Sequence, residues 1–184
     1  MNAQSNIALS ADGVPMHYDV QGHGTTALVF VHSWCCDRRY WDRQVDHFAP
    51  QYTVVTLDLA GHGASGQART QWTMAAFGQD VIAVVEQLGL EQVVLIGHAM
   101  SGVVIVETAR HLPTAVIGVV GVDTWRGVEQ IRTPEQVAKR LVPFRANFVE
   151  AARTYVRSMC VPTSDPALVE HVVAMMSTAP PPDA

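Results

Sequence analysis

The residues that could do chemistry sit in one short run, VVLIGHAMSG at positions 93–102. A short apolar strand, Val93 to Ile96, enters a glycine-flanked turn, and a helix-like stretch from Val103 to His111 follows. This is the strand–turn–helix setting of a nucleophile elbow, G-x-S-x-G, in which a strained turn lifts a serine oxygen clear of a sheet edge. Gly97 and His98 precede the nucleophile position, Met100, Ser101 and Gly102 follow it, and the position itself is Ala99. A methyl group neither attacks a carbonyl nor accepts a proton, so the run keeps the setting for covalent catalysis and lacks its reactive atom. The bland alternative is an ordinary core alanine in a coincidental turn. His98 is tempting as a base, but neighbours on a sharp turn point apart, and a supporting hydrogen bond suits it better. Ser101, within the first helical turn, reads as a structural hydroxyl.

The elements that must position this run follow from patterning. Residues 5–10 and 16–21 read as two short strands around the turn Asp12-Gly13, an antiparallel hairpin. ALVFVH (27–32) and TVVTLD (53–58) are continuous apolar runs of the kind buried on both faces of a sheet, with an amphipathic stretch, Arg38 to Phe48, between them. DLAGHGASG (58–66) is a loop by its glycines. Thr73 starts a helix with Phe77, Val81, Val84, Val85 and Leu88 at helical spacing, and Gly89 stops it. The strand at 93–97, the elbow helix 100–111 and a strand AVIGVVGVD (115–123) complete an alternation that specifies a mostly parallel sheet with helices on both faces. After Asp123 the pattern changes to helices at 134–160 and 165–176, and the tail TAPPPDA cannot extend a helix.

Composition bounds the function. The chain has 184 residues, 48% hydrophobic and 16% charged, which suits a globular α/β protein. The net charge of −5 and scattered cations, with Lys139 the single lysine, give no basic stripe for nucleic acid. No apolar run reaches the ~18 residues of a membrane span, and the N-terminus lacks the regions of a secretory signal. Cys35, Cys36 and Cys160 make a disulfide framework improbable, and Cys160 and His171 lack metal-ligand spacing. A cytoplasmic protein with no metal and no cofactor is the expectation.

Three segments in order resemble the α/β-hydrolase family: VFVHSWCCDRRYWDRQ (29–44), similar to its oxyanion loop; DLAGHGASG (58–66), similar to its D-x-x-G-x-G-x-S loop; and GHAMSG (97–102), which matches the elbow of members reading GHSMSG. The resemblance implies a three-layer α/β core over residues 1–126 and a helical cap over 127–184, with the last core strands missing. It also implies an oxyanion hole made by the backbone N–H groups of Trp34 and Met100, the latter at the positive end of a helix dipole. Ser33 stands where the family usually has glycine, so this loop is expected to be strained or reshaped if that residue needs a glycine-only conformation. His32, Ser33, His98 and Trp125 are candidate substrate contacts. Asp123 reads equally as the catalytic acid or as a strand-end cap to the turn Thr124-Trp125.

The family's catalytic histidine has no counterpart, since the only histidine after Asp123 is His171 in the expected cap. The implied reading is a protein of the esterase, lipase or lactonase kind, catalytically impaired, that takes a small apolar ester- or acyl-like ligand. Two rivals stand beside it: a non-catalytic binding module, and a non-hydrolytic chemistry such as cofactor-independent oxygenation or a lyase step on the same fold. The 115–122 strand is apolar at nearly every position, which predicts burial on both faces. Uncovered, it would be a template for a homodimer joined edge to edge.

Overall fold

The computed structural model describes residues 6–125 and 132–178. Of the non-helical tail expected over 178–184, only Thr178 lies among them, just past the end of the last helix. The chain divides into two compact units after residue 126.

The first unit is a six-stranded sheet in the order β1-β2-β4-β3-β5-β6. Its strands are β1 Asn6–Leu9, β2 Pro15–Gln21, β3 Ala27–Val31, β4 Thr53–Leu57, β5 Val93–His98 and β6 Val116–Val122. β1 and β2 pair antiparallel, β2 joins β4 antiparallel, and β4, β3, β5 and β6 run parallel. The continuous apolar runs are explained by a core on each face. Alternate residues of the central strands, Val29, Val31, Val55, Leu57, Val93 and Leu95, pack on Val81, Val84, Val104 and Ile105. Those last four residues belong to helices α2 (Met74–Gln87) and α3 (Ser101–His111). Their neighbours Leu28, Phe30, Val54 and Ile96 pack on the other face against Trp41 and Val45. Trp41 ends a 3₁₀ turn, Arg38–Trp41, and Val45 lies on α1 (Asp42–Phe48). A side-chain period of two therefore builds both outer layers from one set of strands.

β6 departs from the expectation of burial on both faces. Among the described residues it is the sheet edge, and Ile117, Val119, Val120 and Val122 are 40–59% exposed. The register slips at Val93/Val94, where Gly118 rather than Ile117 faces Val94, so the edge is locally irregular.

The second unit is helical: α4 Pro134–Ala146, α5 Phe148–Met159 and α6 Pro166–Ser177. The single helix expected over 134–160 is two. Asn147 adopts extended backbone, and its side chain accepts from the Glu150 N–H at 3.2 Å, which starts a new helix. Pro143, inside α4, also removes one backbone donor from the last turn. α4 opens with a capping box in which the Thr133 hydroxyl accepts from the Gln136 N–H and the Gln136 side chain accepts from the Thr133 N–H.

Candidate active site

Strand register decides which residues meet. Val31 of β3 lies beside Gly97 of β5, and Gly97 lies beside Gly121 of β6. The segments that leave these strands, 32–36, 98–100 and 122–124, therefore emerge side by side at the carboxyl edge of the sheet. The chain goes from β3 to β4 on one side, then crosses to β5 on the other. This is the topological switch point at which open α/β sheets leave a crevice for ligands.

At the end of β5 the turn is strained. Ala99 has φ 46°, in the left-handed region that costs an L-residue roughly 1–2 kcal/mol. The fold holds it by its main chain. The Ala99 N–H donates to the Val122 carbonyl at 3.0 Å, and the Ala99 carbonyl accepts from the Gly102 N–H at 3.1 Å and from the Thr124 hydroxyl at 2.8 Å. Glycine is required at 97, because a Cβ there would stand 2.6 Å from the Ser101 carbonyl oxygen. Met100 follows directly and precedes the first residue of α3, so its N–H is one of the amides a helix leaves without an intrahelical acceptor. Ser101 is fully buried, and its hydroxyl donates to the His32 carbonyl, so it ties the elbow to the neighbouring loop and is not a displaced nucleophile.

The loop after β3 is shaped by buried polar bonds. Nε2 of His32 accepts from the Leu59 N–H at 3.0 Å, which puts the ring proton on Nδ1, and Nδ1 donates to the Ser33 carbonyl at 2.8 Å. The ring is completely buried, and that burial lowers its pKa to about 3. A neutral imidazole with both nitrogens engaged has none left for a ligand, so His32 is a strut where a substrate contact was expected. The strain anticipated at Ser33 lies two residues on: Cys35 carries φ 58°, and the Cys36 N–H closes a turn onto the Ser33 carbonyl at 3.1 Å. Burial pushes the Cys35 and Cys36 thiols up to about 12, which removes them as nucleophiles at neutral pH. Trp34, directly before them, is half-buried.

His98 supports the elbow by stacking where a hydrogen bond was expected. Its ring lies 5.0 Å from that of Tyr40, nearly parallel at 8°, while its Nδ1 is buried with no hydrogen-bond partner among the described residues. Burial lowers its pKa, opposed by the charge of Asp123. Asp123 and Trp125 are exposed and both left-handed, at φ 45° and 56°. Asp123 therefore ends β6 in a tight turn beside His98. His171 lies on α6 in the second unit.

Two aspartates lie inside the quoted motifs, but their partners were not readable from the sequence. Asp58 is buried and accepts from the Arg38 N–H at 2.7 Å, the Arg38 guanidinium and the Ala64 N–H at 2.9 Å, which fastens the loops after β3 and β4 together. Asp37 caps the 3₁₀ turn by accepting from the Arg39 N–H at 2.9 Å. The sequence signal available was an aspartate three residues after Trp34 and directly before a basic pair. Thr124 and Tyr40 gave no signal at all. Among the described residues, no group of three or more His, Cys, Asp or Glu is arranged to hold a metal, and no helix is long and apolar enough to cross a membrane.

A three-layer, mostly parallel sheet with a strained strand–turn–helix at its switch point defines the α/β-hydrolase class. Residues 26–175 match the family model for the alpha/beta hydrolase fold, and the chain belongs to that family. It is 33% identical over 108 residues to the dihydrolipoyllysine-residue acetyltransferase component of the acetoin cleaving system of Cupriavidus necator, covering 59% of this chain and 29% of that one. It is 31% identical over 106 residues to 3-oxoadipate enol-lactonase 2 of Acinetobacter baylyi, covering 57% of this chain and 40% of the relative. An esterase structure from Exiguobacterium antarcticum superposes with a TM-score of 0.86 at 17% identity, over 96% of this chain and 69% of that one, which shows the shared fold. The chain thus spans well under half the length of these two curated relatives.

Proposed function

We propose that this chain is an α/β-hydrolase-fold protein of the carboxylic-ester hydrolase type whose nucleophile position is occupied by Ala99, and that its carboxyl-edge crevice still receives a small apolar ester- or acyl-like ligand. The observation that carries this reading is the left-handed backbone of Ala99, held from both its N–H and its carbonyl. Such strain is kept where a side chain must be presented at a fixed angle. With serine there, its oxygen would attack an ester carbonyl, and the N–H groups of Trp34 and Met100 would receive the developing oxyanion. Asp123 would serve as the acid. The names of the two curated relatives, a lactonase and an acetyltransferase component, support acyl chemistry.

Loss of the nucleophile alone leaves at most about 10³–10⁴ over water from the oxyanion hole and binding. Hydrolysis of an activated aryl ester by the unmodified chain is expected near background, with little recovery in Ala99→Ser, since a serine hydroxyl is a weak nucleophile until a base is hydrogen-bonded to it. Triad-level turnover in the unmodified chain, after contaminating esterases are removed, would overturn this reading.

A second reading, a ligand-binding module without catalysis, is favoured by the same bonds, since none of them uses the residue 99 side chain. Calorimetry with a medium-chain fatty acid and a lactone tests the crevice that both readings share. Binding with a negative heat-capacity change is expected if the crevice is formed, and no binding across the panel would mean a folded scaffold without a site.

A further inference from the structure

We propose that Thr124 is the positioning residue of the elbow: its hydroxyl clamps the Ala99 carbonyl and thereby fixes where a side chain at position 99 points. The strained residue is held at both of its backbone groups by one short segment that ends β6, through Val122 on the N–H side and Thr124 on the carbonyl side, at 3.0 and 2.8 Å. Two glycines make the socket for that threonine. A Cβ at Gly102, in the first turn of α3, would fall 1.6 Å from the Thr124 hydroxyl oxygen. A Cβ at Gly121, on β6, would fall 2.2 Å from its methyl carbon. Hydroxyl and methyl are thus both fitted, and the stiff χ1 of a β-branched side chain keeps the donor aimed at the carbonyl. Without the donor the Ala99 carbonyl loses one of the bonds that offset its left-handed strain, and the turn can relax away from the N-terminus of α3.

This inference rests on reading residues 97–102 as an elbow, and it is tested by a probe of elbow geometry that needs no ester turnover. Ala99→Cys places a thiol at the position, and its alkylation by iodoacetamide is followed against pH, with peptide mass spectrometry separating residue 99 from Cys35, Cys36 and Cys160. The thiol is expected to titrate below the ordinary value of about 8.5, because it faces the amides at the start of a helix. Adding Thr124→Val, which keeps the shape and removes the hydroxyl, is expected to raise the midpoint by about one pH unit. That is about tenfold less thiolate at neutral pH. Thr124→Ser should restore the parent profile. A folded Thr124→Val variant with the parent profile would overturn the proposal, as would a Thr124→Ser variant that behaves like Thr124→Val. If Thr124→Val does not fold, Thr124→Ala is read in its place by the same criteria. A hydrolytic result of either sign leaves this outcome unaffected.

Discussion

Two regions of the core hold their geometry by opposite means. Around Asp80 of α2 the structure is made by side chains. This fully buried carboxylate accepts from the Arg69 guanidinium, from the Ser10 hydroxyl at 2.7 Å and from the Ala60 N–H at 3.1 Å. Arg69 also donates to Asp12 at 2.6 Å and lies 5.8 Å from the ring centroids of Trp72 and Phe77. At the elbow the bonds join main chain to main chain, with one threonine hydroxyl added. The first region fails when a side chain is removed, because a buried charge is left without its partner. The second tolerates such a loss at position 99, because none of its bonds begins on that side chain. The strained turn at 97–102 therefore does not depend on which side chain residue 99 carries.

The largest effect should come from breaking the ionic region. Asp80→Ala leaves Arg69 buried and unmatched by its inner partner, and is expected to lower stability by about 3–5 kcal/mol in urea unfolding at pH 7. A change below about 1 kcal/mol would show that Asp12 and water satisfy Arg69 unaided.

Acidification should test the buried histidine that joins the two regions. His32 has a folded-state pKa of about 3 against an ordinary 6.5. The unfolded chain therefore binds a proton that the native chain refuses. Its contribution is fully present above pH 6.5 and is lost as pH falls from there towards 3. Between pH 7 and pH 5 the loss is about 2 kcal/mol, with His62 and His98 adding in the same direction because burial lowers both. Carboxylates whose values lie below 3.8, such as Asp12 and Asp37, titrate beneath this window. Urea midpoints at the two pH values give the slope, and His32→Asn, itself less stable, should show a shallower one. An unchanged slope in that variant would place the proton linkage elsewhere.

A smaller effect of opposite sign is expected at the elbow. Ala99→Gly removes a left-handed penalty of roughly 1–2 kcal/mol and adds the roughly 0.5–1 kcal/mol of backbone entropy that glycine loses on folding. The net is a stabilisation of about 0.5–1 kcal/mol by thermal melting. Destabilisation would mean that the Ala99 methyl makes packing contacts that outweigh its strain. Smallest of all, Ala99→Ser should shift stability by less than about 0.5 kcal/mol, since the turn bonds are main-chain bonds.

Much of the fold was legible because burial imposes a period. β3 and β4 read as strands from their apolar runs, and the structure shows Leu28, Val29, Phe30 and Val31 of β3 and Val54, Val55 and Leu57 of β4 packed alternately on one face or the other. α2 was legible from Thr73, whose hydroxyl accepts from the Ala76 N–H at 3.1 Å, and from its apolar stripe. The break at Asn147 was not legible, because asparagine is tolerated inside a helix and only its extended backbone made it a cap. At the candidate site the motif marked position 99, but not the groups that hold it. Thr124 acts across 25 residues of sequence through a socket left by Gly121 nearby and Gly102 far away in the chain. His32 looked like a ligand contact because it ends a strand at the right edge, and only the amide of Leu59 from the next loop shows its nitrogens to be used.

The sequence by itself determined the chemical inventory at position 99: no oxygen stands there, and no arrangement of the chain can supply one from a methyl group. It also determined the strands and helices of the core, since side-chain period and turn residues act locally. Only the tertiary structure decided which ends meet. The order β4-β3-β5-β6 brings residues 32–36, 98–100 and 122–124 to one edge, moves the loop strain from Ser33 to Cys35 and leaves β6 at the rim. The physical reason is that these outcomes depend on hydrogen-bond partners and crossovers far apart in the chain, and local pattern carries no record of them.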